Sequence, residues 1–135
     1  MNRILFIEDN KTKIEDIKSF LEEKYKDVNL SVKESFTSGL RELFTNDYDI
    51  VFLDMSLPTR EGSQNNSLNS FEQLGGHKIL SEMKRKELFL PTIVITMFRD
   101  FGVGQSFMDL NEIDDMCKDE FKTFYKGVVY YSSRE

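Results

Sequence analysis

Ile50-Val51-Phe52-Leu53-Asp54-Met55-Ser56-Leu57-Pro58 decides the fold. An unbroken apolar run of this length reads as a strand buried on both faces, and such strands belong to parallel sheets covered by helices on either side. The run ends in a carboxylate. In an open parallel sheet ligands bind just outside the carboxyl ends of the strands, so Asp54 stands where a site is expected. The chain on either side should supply neighbouring strands and their covering helices.

Toward the N-terminus, Arg3-Ile4-Leu5-Phe6-Ile7-Glu8 reads as a second buried strand, followed by Asp9 and by Asn10, a good helix N-cap. From Lys11 to about Lys26 an apolar stripe of Ile14, Ile17, Leu21 and Tyr25 predicts a helix against the sheet, with the intervening Lys and Glu as its solvated face. Leu30 and Val32 alternate with polar residues as a short strand. Thr37 or Ser38 then caps a helix whose Leu40, Leu43 and Phe44 face inward, and Asn46-Asp47 turns into the opening strand.

Toward the C-terminus, residues 59 to 74 are polar and weakly patterned, a surface excursion closed by Gly75-Gly76. Ile79, Leu80 and Met83 mark a helix reaching about Lys86, and Ile93-Val94-Ile95 a strand ending in Thr96. Residues 97 to 108 hold Gly102 and Gly104 and show no clear period, which predicts a second long loop. Asp109 and Glu112 have the spacing of a capping box for a helix carrying Leu110, Ile113, Met116 or Cys117, and Phe121. Gly127 to Tyr131 form a fifth strand. Alternating strands and helices call for right-handed crossovers and one α/β domain over residues 1–135: a flavodoxin-like, doubly wound, five-stranded parallel sheet of order 2-1-3-4-5.

Composition agrees. With 135 residues, 39% of them hydrophobic and 13% aromatic, the chain builds one core without staples. A net charge of -6 argues against binding a nucleic-acid backbone, and it makes Phe121, Phe124, Tyr125, Tyr130 and Tyr131 packing residues rather than a stacking platform for bases. The single cysteine, Cys117, reads as a small core residue of a protein in a reducing cytoplasm. The first apolar run is too short to enter a membrane. His77 is expected at the surface.

The order 2-1-3-4-5 brings Glu8, Asp9, Asp54 and Thr96 to one edge of the sheet. Three carboxylates there repel one another unless a hard cation lies among them, and Mg²⁺, which takes a few carboxylates together with waters and phosphate oxygens, fits best. A carboxylate beside Mg²⁺ can attack phosphorus to give an aspartyl phosphate. With Ile7-Glu8-Asp9-Asn10, Phe52 to Pro58 and Val94-Ile95-Thr96 on these strands, the chain resembles the CheY-like receiver domain of bacterial two-component response regulators from Met1 to about Tyr131. The resemblance implies that Asp54 is the phosphoacceptor, that Asp9 binds Mg²⁺ directly with Glu8 in support, that the Ser56 backbone carbonyl completes the metal site, and that Thr96 is the switch hydroxyl.

The chain departs from that family at three places. A Lys, often followed by Pro, usually stands just past the fifth strand to neutralise the phosphoryl oxygens, whereas this chain has Ser132-Ser133. Lys126 precedes the strand, about 16 Å from the edge at ~3.3 Å per residue, and Arg134 is a poor substitute. Met97 follows Thr96 where a small residue is usual, which narrows access. A fifth helix has no residues to form it, so one face of the sheet lacks half its cover; a truncated chain is the expected reason, a partner on that face the other.

The reading is a stand-alone, atypical receiver, without an output domain, phosphorylated on Asp54 by a sensor histidine kinase or phosphotransfer protein. It then switches a surface for a downstream protein, its own chemistry limited to self-phosphorylation and autodephosphorylation. The alternative is a pseudo-receiver, an interaction module independent of phosphorylation. A phosphatase with Asp54 as nucleophile is disfavoured because the haloacid-dehalogenase-like pattern wants a second Asp where Ser56 stands.

Overall fold

The structure, a computed structural model, describes residues 2–58, 74–97, 100–103 and 106–131, with the backbone alone for 100–103 and 106–108. The elements are β1 (Asn2–Ile7), α1 (Lys11–Lys24), β2 (Val28–Lys33), α2 (Phe36–Thr45), β3 (Ile50–Leu53), α3 (Gly75–Arg85), β4 (Thr92–Thr96), β5 (Asp100–Val103), β6 (Ser106–Asp109), α4 (Leu110–Glu120) and β7 (Tyr125–Tyr130). Five strands pair in parallel in the order β2-β1-β3-β4-β7, the topology expected.

Alternation along the strands splits the core into two layers. On one face Leu5, Ile7, Val51, Leu53 and Val94 meet Leu43 of α2, Ile79, Leu80 and Met83 of α3, and Ile113 and Cys117 of α4. On the other, Ile4, Phe6, Phe52 and Ile95 meet Ile14 and Leu21 of α1, with Phe6 and Phe52 edge to face at 5.9 Å. Each such side chain taken out of water contributes about 1.5–3 kcal/mol. Among the described residues α1 is the helix that covers this second face, and Val129 at its β7 side is 51% exposed. No helix among the described residues is long and apolar enough to cross a membrane.

Local chemistry explains most boundaries. Asn10 caps α1, its Oδ1 accepting from the Lys13 N–H at 2.9 Å. Asp109 and Glu112 form the expected capping box on α4, with bonds of 2.9 and 3.0 Å. α2 starts earlier than expected: Ser35 is the N-cap and Ser38 is its N3 partner, while Thr37 lies inside the helix. Tyr25 ends α1 in extended conformation and is 54% exposed, not part of its apolar stripe.

Two further corrections concern connections. Residues 100–103 and 106–109 are not irregular but pair as an antiparallel hairpin outside the main sheet. The glycines that argued against a period flank or interrupt two very short strands, and only Gly104-Gln105 lies between these strands in sequence. β7 begins at Tyr125, two residues early, because the register shifts between Thr92 and Ile93, where Gly127 takes φ +140°. Such a bulge needs a residue without a Cβ. Residues 59–73 of the excursion and the tail, residues 132–135, lie outside the described residues.

Candidate functional site

Parallel pairing lines up the strand ends. Ile7 is opposite Leu53 and Leu53 opposite Val94, so Glu8 and Asp9 emerge beside Asp54. The Asp54 N–H donates to the Ile7 carbonyl at 3.2 Å, which fixes the acid against the end of β1. Glu8, Asp9 and Asp54 each offer a carboxylate oxygen within 4.8 Å of the others. They open on a cleft of about 230 Å³ lined also by Asn10, Lys13, Ser56, Pro58 and Met97.

The three acids differ in their surroundings. Asp9 is exposed, whereas Glu8 and Asp54 are 2% and 5% exposed. Asp54 Oδ1 accepts from the Ser56 N–H at 3.3 Å and from Ser56 Oγ at 3.2 Å, while Oδ2 has one long contact, Ser56 Oγ at 3.4 Å. Glu8 Oε2 accepts from the Asn10 N–H at 3.1 Å. Burial pushes the Glu8 carboxyl up from 4.5 to about 6, with the Asp54 charge adding to the rise and Lys13 opposing it. Burial likewise raises Asp54, against the lowering effect of Lys13 and the Ser56 hydrogen bonds.

The lysine in that balance was missed in the sequence. Lys13, counted with the solvated face of α1, is 1% exposed and places Nζ 2.5 Å from Glu8 Oε1 and 3.6 Å from Asp54 Oδ1. A signal was present: Lys13 lies four residues before Ile17 and eight before Leu21, so it extends the apolar stripe toward the strand ends.

Close packing holds the acid loop in place. Gly75 and Gly76 begin α3 rather than merely closing a loop. A Cβ on Gly75 would lie 2.0 Å from the Leu57 carbonyl oxygen and one on Gly76 2.5 Å from Met55 Cα. The Gly76 N–H donates to the Met55 carbonyl at 2.9 Å, which pins the helix start to the residue after Asp54.

Thr96 ends β4, fully buried, and its carbonyl accepts from the Tyr131 N–H at 2.7 Å. Met97, next in sequence, lines the cleft, and its sulfur accepts from Asn10 Nδ2 at 3.7 Å. His77 is not a surface residue: it is 5% exposed, edge-on to Phe121 at 5.3 Å, with Nε2 3.0 Å from Glu120 Oε1. It sits at the α3 and α4 contact because its helix position faces α4, and it does not line the Asp54 cleft. Phe121, Phe124 and Tyr125 are core residues as expected, but Tyr130 is 37% exposed.

No family model matches the chain. It is 26% identical over 131 residues to the Detocs response regulatory protein DtcB of Enterobacter cloacae (strain JD6301), spanning 96% of this chain and 87% of that protein. It is 25% identical over 134 residues to the uncharacterized protein y4jR of Sinorhizobium fredii (strain NBRC 101917 / NGR234), spanning 98% and 89%. Among solved structures, the response regulator TrrA of Thermotoga maritima in complex with Mg²⁺-BeF superimposes with a TM-score of 0.64 at 20% identity, over 98% of this chain and 88% of its own. The same regulator in complex with the histidine kinase ThkA gives a TM-score of 0.62 at 20% identity, over 98% and 87%. Strand order, helix placement and these likenesses agree: the chain has the CheY-like receiver fold of response regulators.

Proposed function

We propose that this chain accepts a phosphoryl group on Asp54, with Mg²⁺ held by Asp9, Asp54 and the Ser56 carbonyl and supported by Glu8, and that the modified site alters a protein-binding surface. The supporting observation is the convergence of Glu8, Asp9 and Asp54 oxygens within 4.8 Å at the tips of β1 and β3. A donor set made only of oxygen suits a hard divalent cation, and the 230 Å³ cleft has room for the cation, several waters at ~30 Å³ each and a phosphoryl group. Bound there, Mg²⁺ would neutralise the carboxylates and the phosphoryl oxygens.

The protein's own part is positional. Ser56 fixes one Asp54 oxygen and leaves Oδ2 the freer to attack phosphorus. With a phosphohistidine donor, the new Asp54 oxygen–phosphorus bond forms as the phosphorus–nitrogen bond breaks, and the imidazole leaves with a proton from solvent. TrrA, with the same fold, has been solved with a histidine kinase, which makes such a kinase or a phosphotransfer protein the donor of choice. In this reading Thr96, buried at the end of β4, is the switch hydroxyl that answers the new charge of about -1.5 to -2. Incubation with a small phosphodonor and Mg²⁺ followed by intact mass tests this: one phosphoryl group on the wild type and none on Asp54→Ala is expected, and an equal gain in both overturns it.

One observation favours a second reading, the phosphorylation-independent interaction module. The Lys13 ammonium already offsets part of the carboxylate charge without a metal. Partner affinity unchanged in Asp54→Ala, together with weak Mg²⁺ binding, would select it.

A further inference from the structure

The Lys13 side chain is built into the acid cluster rather than laid against it. Lysine is seldom buried unless paired, and here the Lys13 Nζ lies 2.5 Å from Glu8 Oε1 and 3.6 Å from Asp54 Oδ1 and donates to the Ile95 carbonyl at 2.6 Å. The last contact belongs to β4, one residue before Thr96. The Asn10 cap fixes the first turn of α1, so the stem of Lys13 enters the site from a rigid element.

We propose that Lys13 is the site's resident cation, a binding residue that restrains divalent-metal binding at Glu8, Asp9 and Asp54 and contacts the phosphoryl oxygens once Asp54 carries them. The second half rests on the phosphoacceptor reading. An ammonium and a divalent cation beside the same carboxylates repel, so the metal binds less tightly while the ammonium is there. A phosphoryl group on Asp54 adds negative charge within reach of Nζ, and there the ammonium attracts. The two effects of the same charge have opposite signs.

The test uses Lys13→Met, similar in length and apolar, and Lys13→Gln, which is neutral but can still donate to the Ile95 carbonyl. Folding of each is checked by thermal melting. Mg²⁺ alone is titrated by calorimetry, and beryllofluoride, an unreactive phosphoryl mimic, is then titrated at saturating Mg²⁺. We expect Mg²⁺ to bind on the order of tenfold tighter in the variants, and beryllofluoride at least tenfold weaker. A merely structural lysine would weaken both together. Mg²⁺ binding no tighter in a folded variant overturns the restraint on the metal, and beryllofluoride held at wild-type strength overturns the phosphoryl contact. Wild type that binds Mg²⁺ but not beryllofluoride overturns the phosphoacceptor reading and the second half with it, while the Mg²⁺ comparison still decides the first.

Discussion

Gly76→Ala should damage the fold and the site together. An alanine Cβ there would lie 2.5 Å from Met55 Cα and 3.0 Å from both the Asp54 and Met55 carbonyl oxygens. Ordinary carbon contacts are ~3.5–4.0 Å, so about 1 Å must be found. All three neighbours are backbone, and no side-chain rotation relieves them. The φ angle of Gly76 is not in the left-handed region, so strain from that source does not enter. Alanine gains up to about 1 kcal/mol in helix propensity, and the overpacking exceeds it, for a net loss of about 1–3 kcal/mol. Because the displaced backbone carries Asp54, Met55 and Ser56, Mg²⁺ affinity should fall several-fold as well. Urea unfolding at constant m gives the first quantity and a calorimetric Mg²⁺ titration the second. Gly127→Ala is the control: it strains a φ of +140° with open space around the Cβ, far from the cleft, so it should cost stability and leave metal binding alone. Gly76→Ala as stable as the wild type, or destabilised no differently from Gly127→Ala in its metal affinity, would refute the coupling of α3 to the acid loop.

Two other predictions concern stability. In metal-free buffer the folded protein holds a proton on Glu8 up to about pH 6, whereas the free carboxyl releases it near 4.5. In that window the folded state binds more protons than the unfolded chain, so this group's contribution to stability is highest below pH 4.5 and falls by about 2 kcal/mol as pH rises past 6. Asp54 acts with the same sign, so the measurement is the difference between wild type and Glu8→Gln across the window. A difference that grows in favour of the wild type as pH rises would contradict it. The buried Tyr125 donates its O–H to Asp114 Oδ1 at 2.6 Å, tying β7 to α4, and Tyr125→Phe should cost about 1–2 kcal/mol in a thermal melt, with no loss counting against the bond.

Strand order and the meeting of Glu8, Asp9 and Asp54 were legible in the sequence because both follow from backbone pattern. Buried strands show as unbroken apolar runs, and parallel topology then dictates which strand tips are neighbours. The capping box of α4 was legible for the same reason, since its two partners are three residues apart. Lys13 was not, because a lysine on an amphipathic helix is usually solvated, and only the acceptors supplied by β1, β3 and β4 make it an inward residue. His77 misled in the same way: its partners, Phe121 and Glu120, come from a helix more than forty residues away. The hairpin of β5 and β6 was hidden by strands of four residues each, too short for a period of two to stand out beside two glycines.

The most direct measurement of the central claim is the position and metal dependence of a single phosphoryl group. After exposure to a small phosphodonor, peptide mapping under conditions that preserve acyl phosphates should place one group on the peptide that contains Asp54, in the presence of Mg²⁺ and not in excess EDTA. A phosphoryl group on another residue, or on Asp54 at the same level without metal, would contradict the account.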